Sequence, residues 1–127
     1  MRVEHFGGDA VVDSEDRLAE ILEVRFEPGV NEFWLSGTED GPCLSILIRD
    51  DYASLHYFAS RGDAGAVCQS DGSAGPAAGA VSFRTNSPEE EIEVSAKLVV
   101  GVNTAKKAAL EFFRSRHRPK SLTWVDL

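Results

Sequence analysis

Hydrophobic and polar positions follow two different periods along the chain. Three runs have strand-like patterns, NEFWLSG (31–37), CLSILIR (43–49) and YASLHYFAS (52–60). A period of two is typical of half-buried strands. Short turn signals separate the runs, at residues 38–42 and 50–51. The three runs are therefore predicted to form an antiparallel meander.

Shorter segments on both sides of the meander predict further strands. We expect these at 3–6 and 10–12 around the Gly7-Gly8 turn, at 64–69, at 80–85, and at 92–102 as one strand or two. The stretch DGSAGPAAG (71–79) is rich in Gly and Ala, and it is predicted to be a flexible loop.

A helical period marks the segment that follows the first strands. Asp13 or Ser14 can cap this helix, because a short polar side chain accepts a hydrogen bond from the first turn. Its apolar stripe, at helical spacing, consists of Leu18, Ile21 and Leu22. The element is predicted to end at Pro28-Gly29.

A second amphipathic helix is predicted near the C-terminus, capped by Asn103 and stopped by Pro119. Its stripe recurs at i, i+3, i+4, i+7 and i+8, and consists of Ala105, Ala108, Ala109, Phe112 and Phe113. Basic side chains gather at its end, where cations suit the helix dipole. These are Arg114, Arg116, His117 and Arg118.

Together these elements predict an α+β fold, with an antiparallel β-sheet meander packed by an N-terminal and a C-terminal α-helix. A length of 127 residues, with 43% apolar and 27% charged residues, fits one domain spanning residues 1–127. No apolar run is long enough to cross a membrane, and the first residues do not resemble a signal peptide. We therefore expect a cytoplasmic protein whose two cysteines, Cys43 and Cys68, are reduced.

The net charge of -8 is distributed unevenly along the chain. Residues 1–63 carry 5 arginines and 14 acidic residues, a net charge of -9, whereas residues 64–127 carry 8 basic and 7 acidic residues, a net charge of +1. Such a field repels nucleic acid and favours a basic partner. The simpler alternative is that the acidity only provides solubility.

Candidate catalytic chemistry is sparse. The sequence lacks the motifs of phosphate-binding loops and of common zinc enzymes. His5, His56 and His117 lack metal-ligand spacing with Cys43 and Cys68. His56 lies in an alternating strand and can be a general base, but such a histidine is more often a half-buried strand residue. We therefore expect a binding protein without a metal or cofactor rather than an enzyme.

Three predicted loops carry six acidic residues, namely Glu39, Asp40, Asp63, Glu89, Glu90 and Glu91. The turns of a simple meander alternate between the two ends of the sheet, which would bring these loops together at one end. Because loops on a rigid sheet commonly carry binding function, this acidic end is the predicted partner-binding surface. The Asp50-Asp51 turn, at the other end, is the second choice.

Four aromatic side chains of the meander are candidates for interface anchors, because Trp and Tyr are favoured at binding hot spots. They are Trp34, Tyr52, Tyr57 and Phe58. Packing in the core is the alternative explanation for each of them.

The last 23 residues, AKKAALEFFRSRHRPKSLTWVDL, resemble the C-terminal signature of a family of bacterial immunity proteins. The similar features are an Ala-rich helix ending in Phe112-Phe113, then Arg118-Pro119, then Leu122-Thr123-Trp124. Upstream, the similarity is one of layout: an acidic N-terminal helix and an antiparallel sheet. Members of this family neutralise polymorphic toxins, prominently deaminase toxins that attack nucleic acids.

The signature is expected to be structural rather than to mark the surface that binds a toxin. After Pro119 ends the helix, the chain can turn so that Leu122 and Trp124 pack against Phe112 and Phe113. Truncation of a buried tryptophan to alanine costs about 3–5 kcal/mol, so Trp124→Ala should destabilise the fold.

The resemblance implies that the chain binds a cognate toxin, foremost a nucleic-acid deaminase, and blocks its active site or substrate groove. A toxin that acts on nucleic acid needs a basic groove, which an acidic protein can occupy. The main alternative is a non-inhibitory adaptor or secretion-chaperone-like module for a basic partner. An enzyme that uses His56 and a non-specific nucleic-acid mimic are further alternatives. We expect no nucleic-acid partner and no membrane partner.

Overall fold

The computed structural model describes residues 1–75 and 79–127, and it has ten strands and two α-helices in this part of the chain. The strands are β1 (Arg2–His5), β2 (Gly8–Val11), β3 (Val30–Ser36), β4 (Cys43–Arg49), β5 (Tyr52–Phe58), β6 (Ala66–Cys68), β7 (Ala80–Arg84), β8 (Glu91–Ser95), β9 (Val100–Gly101) and β10 (Trp124–Asp126). The α-helices are α1 (Glu15–Ile21) and α2 (Val102–Ser115), and a 3-10 turn spans Ala96–Leu98. The predicted α+β fold is confirmed. Part of the loop predicted at 71–79, residues 76–78, lies outside the described residues.

Eight of the strands form one sheet, in which every pairing is antiparallel. The order is β10-β6-β5-β4-β3-β1-β2, and β9 also pairs with β5. The meander predicted for the central runs is therefore confirmed, from β3 through β6. It does not continue as predicted, because β7 and β8 form a separate two-stranded sheet.

The two faces of the main sheet bury different cores. One face packs against both helices, with side chains such as Phe33, Ile46 and Leu55 around Phe112 of α2. The opposite face, which we call the outer face, carries the β7–β8 hairpin over part of its surface. There a second, smaller core forms from Leu47, Val81, Phe83 and Val99. The hairpin packs on the sheet because Val81 and Phe83 alternate with polar residues and need an apolar surface to cover.

The ends of the helices agree only in part with the predicted signals. Ser14 caps α1, since its Oγ accepts from the Arg17 N–H at 3.2 Å. The predicted Asn103 cap is wrong, because α2 begins directly after β9 with Gly101 at the cap position. No side chain caps this end; instead, the Val102 N–H donates to the carbonyl oxygen of Asp51 at 2.9 Å.

The C-terminal end of α2 is set by Arg116 and not, as predicted, by Pro119. Arg116 adopts a left-handed conformation with φ of 59°, and its N–H donates to the carbonyl oxygen of Phe112 at 2.8 Å. This is a common way to satisfy a carbonyl at a helix end. Pro119 follows three residues later and is buried.

The chain after Pro119 folds back and adds β10 to the edge of the main sheet beside β6. The Trp124 indole N–H donates to the carbonyl oxygen of Pro119 at 2.9 Å, and its ring lies edge-on to Tyr57 at 6.3 Å. Trp124, Leu122 and Phe113 are partly buried against the main core, whereas Phe112 is fully buried.

Glu32 of β3 holds the tip of the β7–β8 hairpin on the outer face. Only 7% of Glu32 is exposed, and its carboxylate accepts from the Thr85 hydroxyl at 2.7 Å and the Asn86 N–H at 3.1 Å. Glu32→Ala should lower the free energy of unfolding by about 1–3 kcal/mol, because both donors lose their acceptor. Chemical denaturation measures this loss. Glu93→Ala, on the exposed side of β8, is the control, and an equal loss there would contradict this role for Glu32.

Candidate functional site

The part of the outer face beyond the hairpin presents an aromatic surface. The register places Trp34, Ser45 and His56 side by side on β3, β4 and β5, and Phe58 follows on β5 two residues after His56. Trp34 is 37% exposed. Its ring stacks on Phe58 with centroids 5.9 Å apart, and Phe58 stacks on His56 at 6.1 Å. We call Trp34, His56 and Phe58 the aromatic floor.

A groove of about 500 Å³ lies between this floor and two loops, 37–42 and 59–65. Trp34 and Phe58 line it, together with three carboxylates and one guanidinium. These charged residues are Glu4, Glu39, Asp63 and Arg61. We call this space the main groove. Its charged lining is acidic, so it suits a positively charged group.

A second groove of about 370 Å³ adjoins the first, and both are lined by Glu4 and Trp34. It extends along β1 and β3 to residues 86–88 at the tip of the β7–β8 hairpin, and Glu32 lies in its wall. The two grooves therefore meet at Glu4 and Trp34.

Two of the three loops in the predicted acidic end lie together. Glu39 and Asp63 both line the main groove. Asp40 joins the loops, because its carboxylate is 3.7 Å from the Arg61 guanidinium and its carbonyl oxygen accepts from the Arg61 N–H. The Asp63 carboxylate also accepts from the Ala59 N–H at 3.1 Å and so shapes its own turn.

The third loop lies elsewhere, since Glu89, Glu90 and Glu91 belong to the separate hairpin. The meander argument that grouped them with the other acids therefore fails. The Glu90 carboxylate accepts from the Asn86 side-chain amide at 2.8 Å, and Glu91 accepts from the Ser82 hydroxyl. This turn meets the second groove through residues 86–88, not through the three glutamates.

The four candidate aromatic anchors divide into two that line the main groove and two that pack in a core. Trp34 and Phe58 lie on the outer face and line the main groove. Tyr57 belongs to the main core, with 9% exposed, and Tyr52 packs against the second core. Core packing therefore accounts for the two tyrosines and leaves Trp34 and Phe58 as candidate anchors.

Burial favours the neutral forms of His56 and Cys43 on this face. Burial lowers the pKa of His56 below its ordinary value of 6.5, and it raises the pKa of the Cys43 thiol. Cys68, on the opposite face, is buried, and burial raises its pKa to about 11. Within residues 1–75 and 79–127, His, Cys, Asp and Glu side chains form no group of three that could hold a metal ion.

Acidification should destabilise the protein through its histidines. Burial lowers the pKa of both His56 and His5, so the unfolded chain binds more protons than the folded chain below about pH 6.5. The free energy of unfolding should therefore fall as the pH decreases from 6.5 towards the folded pKa values. Urea unfolding between neutral and mildly acidic pH measures the slope. His56→Gln should flatten it, and an unchanged slope in that variant would contradict the assignment.

An exposed aromatic floor with an acidic rim is typical of a protein-binding surface. In a comparison with known sequences, the sequence profile of the family described as Immunity protein Imm1 matches residues 7–126. The chain therefore belongs to the Imm1 family of immunity proteins. The resemblance inferred from residues 105–127 is confirmed and extends over nearly the whole chain.

One relative is similar over its full length. It is a double-stranded DNA deaminase immunity protein from Burkholderia cenocepacia (strain H111), 32% identical over 128 residues, and the similarity covers all of both chains. Among the described residues, moreover, the two α-helices are too short or too polar to cross a membrane.

Proposed function

We propose that this chain is the immunity protein of a bacterial toxin, that it binds and inhibits this toxin, and that the toxin is a nucleic-acid deaminase. The observation that carries the proposal is the full-length similarity to an immunity protein of a DNA deaminase. Residues 1–127 act as one binding domain in the cytoplasm, without a catalytic step and without a cofactor of their own.

Charge provides the basis for recognition. A nucleic-acid deaminase holds the phosphates of its substrate with basic side chains. The acidic first half of this chain attracts such a surface, and Glu39, Asp40 and Asp63 place carboxylates where the substrate phosphates would lie. Glu89, Glu90 and Glu91 form a second acidic patch on the hairpin, available to a partner that extends across the second groove. In the proposed complex, binding through these acidic residues blocks the active site or the substrate groove of the toxin.

The proposed partner pair should associate quickly and dissociate slowly. Electrostatic attraction between the acidic chain and a basic toxin raises the association rate and is screened by salt. Apolar anchors such as Trp34 slow dissociation. Both properties suit an inhibitor that must neutralise every toxin molecule in the cell.

Titration of the purified chain into the activity assay of the toxin domain encoded beside it tests this function. Stoichiometric inhibition is expected, with slower association at high salt. Binding without inhibition would instead support the adaptor or secretion-chaperone alternative. Absence of both binding and inhibition would overturn the proposal.

A further inference from the structure

The outer face of the main sheet is divided into a covered and an uncovered part. Under the β7–β8 hairpin, Leu47 is 6% exposed and Phe83 is fully buried. On the same face, Trp34 is 37% exposed and Val125 of β10 is 38% exposed. Trp34 is the largest of the exposed apolar side chains. A tryptophan left partly open beside a groove is a candidate anchor for a partner, because tryptophan is enriched at binding hot spots.

The rings of the aromatic floor pack on one another without a partner. The Trp34 and Phe58 rings are stacked with an angle of 23° between their planes, and the Phe58 and His56 rings with an angle of 14°. The three side chains stand on β3 and β5, two seven-residue strands that flank β4 in the meander. Little side-chain entropy is therefore lost when a partner packs against the indole, which favours tight binding.

The rim around this floor selects for a cation. Four carboxylates line the two grooves, those of Glu4, Glu32, Glu39 and Asp63, against the single guanidinium of Arg61. Within the described part of the chain, neither Glu39 nor Asp63 forms an ion pair with a basic side chain. Apart from the Asp63 oxygen that accepts from the Ala59 N–H, these carboxylate oxygens are therefore available to a basic partner.

The same charge pattern argues against other occupants of the groove. A second copy of this chain would bring an identical acidic rim against the first, and like charges in contact are unfavourable. A nucleic-acid backbone is repelled for the same reason. A basic segment of a protein fits both the apolar floor and the acidic rim.

We propose that the main groove receives an arginine side chain of the toxin, stacked on the Trp34 indole and hydrogen-bonded to Glu39 and Asp63. This inference rests on the proposed function and specifies its recognition chemistry. Arginine fits better than lysine, because a planar guanidinium stacks on an aromatic face and donates in parallel to carboxylates. An arginine that the toxin uses to hold substrate phosphate would be occupied in this way.

Variants of the floor and the rim test the proposal in binding and inhibition assays with the toxin domain encoded beside the chain. Trp34→Ala should raise the Kd by about 30-fold or more, as expected for truncation of a hot-spot residue. Trp34→Phe keeps an aromatic face and should lose less. The double variant Glu39→Gln and Asp63→Asn keeps the side-chain shapes and should weaken binding and reduce its salt dependence. Asp51→Asn, at the other end of the meander, removes one carboxylate distant from the groove; it is the control for position and should bind as the wild type does.

Chemical modification identifies the group that enters the groove. An arginine-specific reagent such as phenylglyoxal is applied to the toxin alone, to its wild-type complex and to its Trp34→Ala complex, and the modified sites are located by mass spectrometry. At least one toxin arginine should be protected by the wild-type chain and less protected by Trp34→Ala. Protection of lysines alone, in a parallel amine-labelling experiment, would overturn the assignment to arginine.

The outcomes separate this inference from the proposed function. If the wild type inhibits the toxin but Trp34→Ala and the double charge variant bind equally well, the inference is overturned and the function stands. If Asp51→Asn weakens binding as much as the double charge variant, the docking surface lies elsewhere and the inference is also overturned. If the wild type neither binds nor inhibits, both the function and the inference fail. Thermal unfolding of each variant separates weakened binding from loss of folding.

Discussion

Replacement of Trp124 by alanine should lower the free energy of unfolding by about 2–4 kcal/mol, slightly less than for a fully buried tryptophan. Three contacts are lost together. The indole no longer donates to the Pro119 carbonyl oxygen, its edge no longer packs on Tyr57, and β10 is held less firmly beside β6. Denaturant unfolding monitored by circular dichroism measures the change.

Two variants separate the contributions to this loss. Trp124→Phe keeps an aromatic ring but removes the N–H donor, so its effect should be intermediate. Val125→Ala alters the neighbouring residue of β10, which is 38% exposed on the outer face, and should change stability little. A melting temperature of Trp124→Ala equal to that of the wild type would contradict the structural role of the C-terminal signature.

Lysine at both Glu39 and Asp63 should weaken binding to the toxin by about 100-fold or more at low salt. The change replaces two attractions with two repulsions at the rim of the main groove, and like charges in contact cost several kcal/mol. Most of the effect should appear in the association rate, because long-range attraction to a basic surface acts before contact. Stopped-flow or surface-plasmon measurements at several salt concentrations determine both rate constants.

The matched control changes the net charge by the same amount at sites distant from the groove. Asp51→Lys combined with Glu93→Lys places lysines at the β4–β5 turn and on β8, where both native residues are exposed. This control should weaken binding much less. Equal weakening in the two double variants would mean that overall charge, and not the acidic rim, governs recognition.

The helices and the central strands could be predicted because their periods are local and long. The stripe from Ala105 to Phe112 spans two turns of α2, and the run 43–49 coincides with β4. Sequence signals for the ends of helices are weaker predictors where a tertiary contact satisfies the terminal N–H groups. Asn103 does not cap α2, because the carbonyl oxygen of Asp51, distant in sequence, already receives the first N–H.

The sheet to which a strand belongs is not a local property. The alternation in AVSFR (80–84) suits a strand of the main sheet equally well as one of a separate hairpin. The outcome depends on the apolar surface that Val81 and Phe83 find at Leu47 on β4. Similarly, β10 has only three residues, too few for a periodic signal, and it exists because β6 offers a free edge.

The candidate site was predictable in its charge but not in its shape. The loops of Glu39 and Asp63 border the main groove because they are successive turns at one end of a true meander. The sequence pattern alone does not show which aromatic side chains face the groove. Tyr57 and Phe58 are neighbours that point to opposite faces of the sheet, and both faces are partly covered. Trp34 is exposed because the hairpin stops at Glu32, which only the tertiary structure reveals.

The reactivity of Cys43 offers the most direct test that a toxin occupies the main groove. This half-buried thiol lines the groove opposite Phe58 on the neighbouring strand, whereas Cys68 is buried and serves as an internal reference. The measurement is the rate of alkylation of each cysteine at mildly alkaline pH, with and without saturating toxin, read from peptides of this chain by mass spectrometry. If the toxin docks on the groove, Cys43 should react about tenfold or more slowly in the complex while Cys68 stays unreactive in both states. An unchanged rate at Cys43 in a saturated, inhibited complex would show that the toxin binds a different surface.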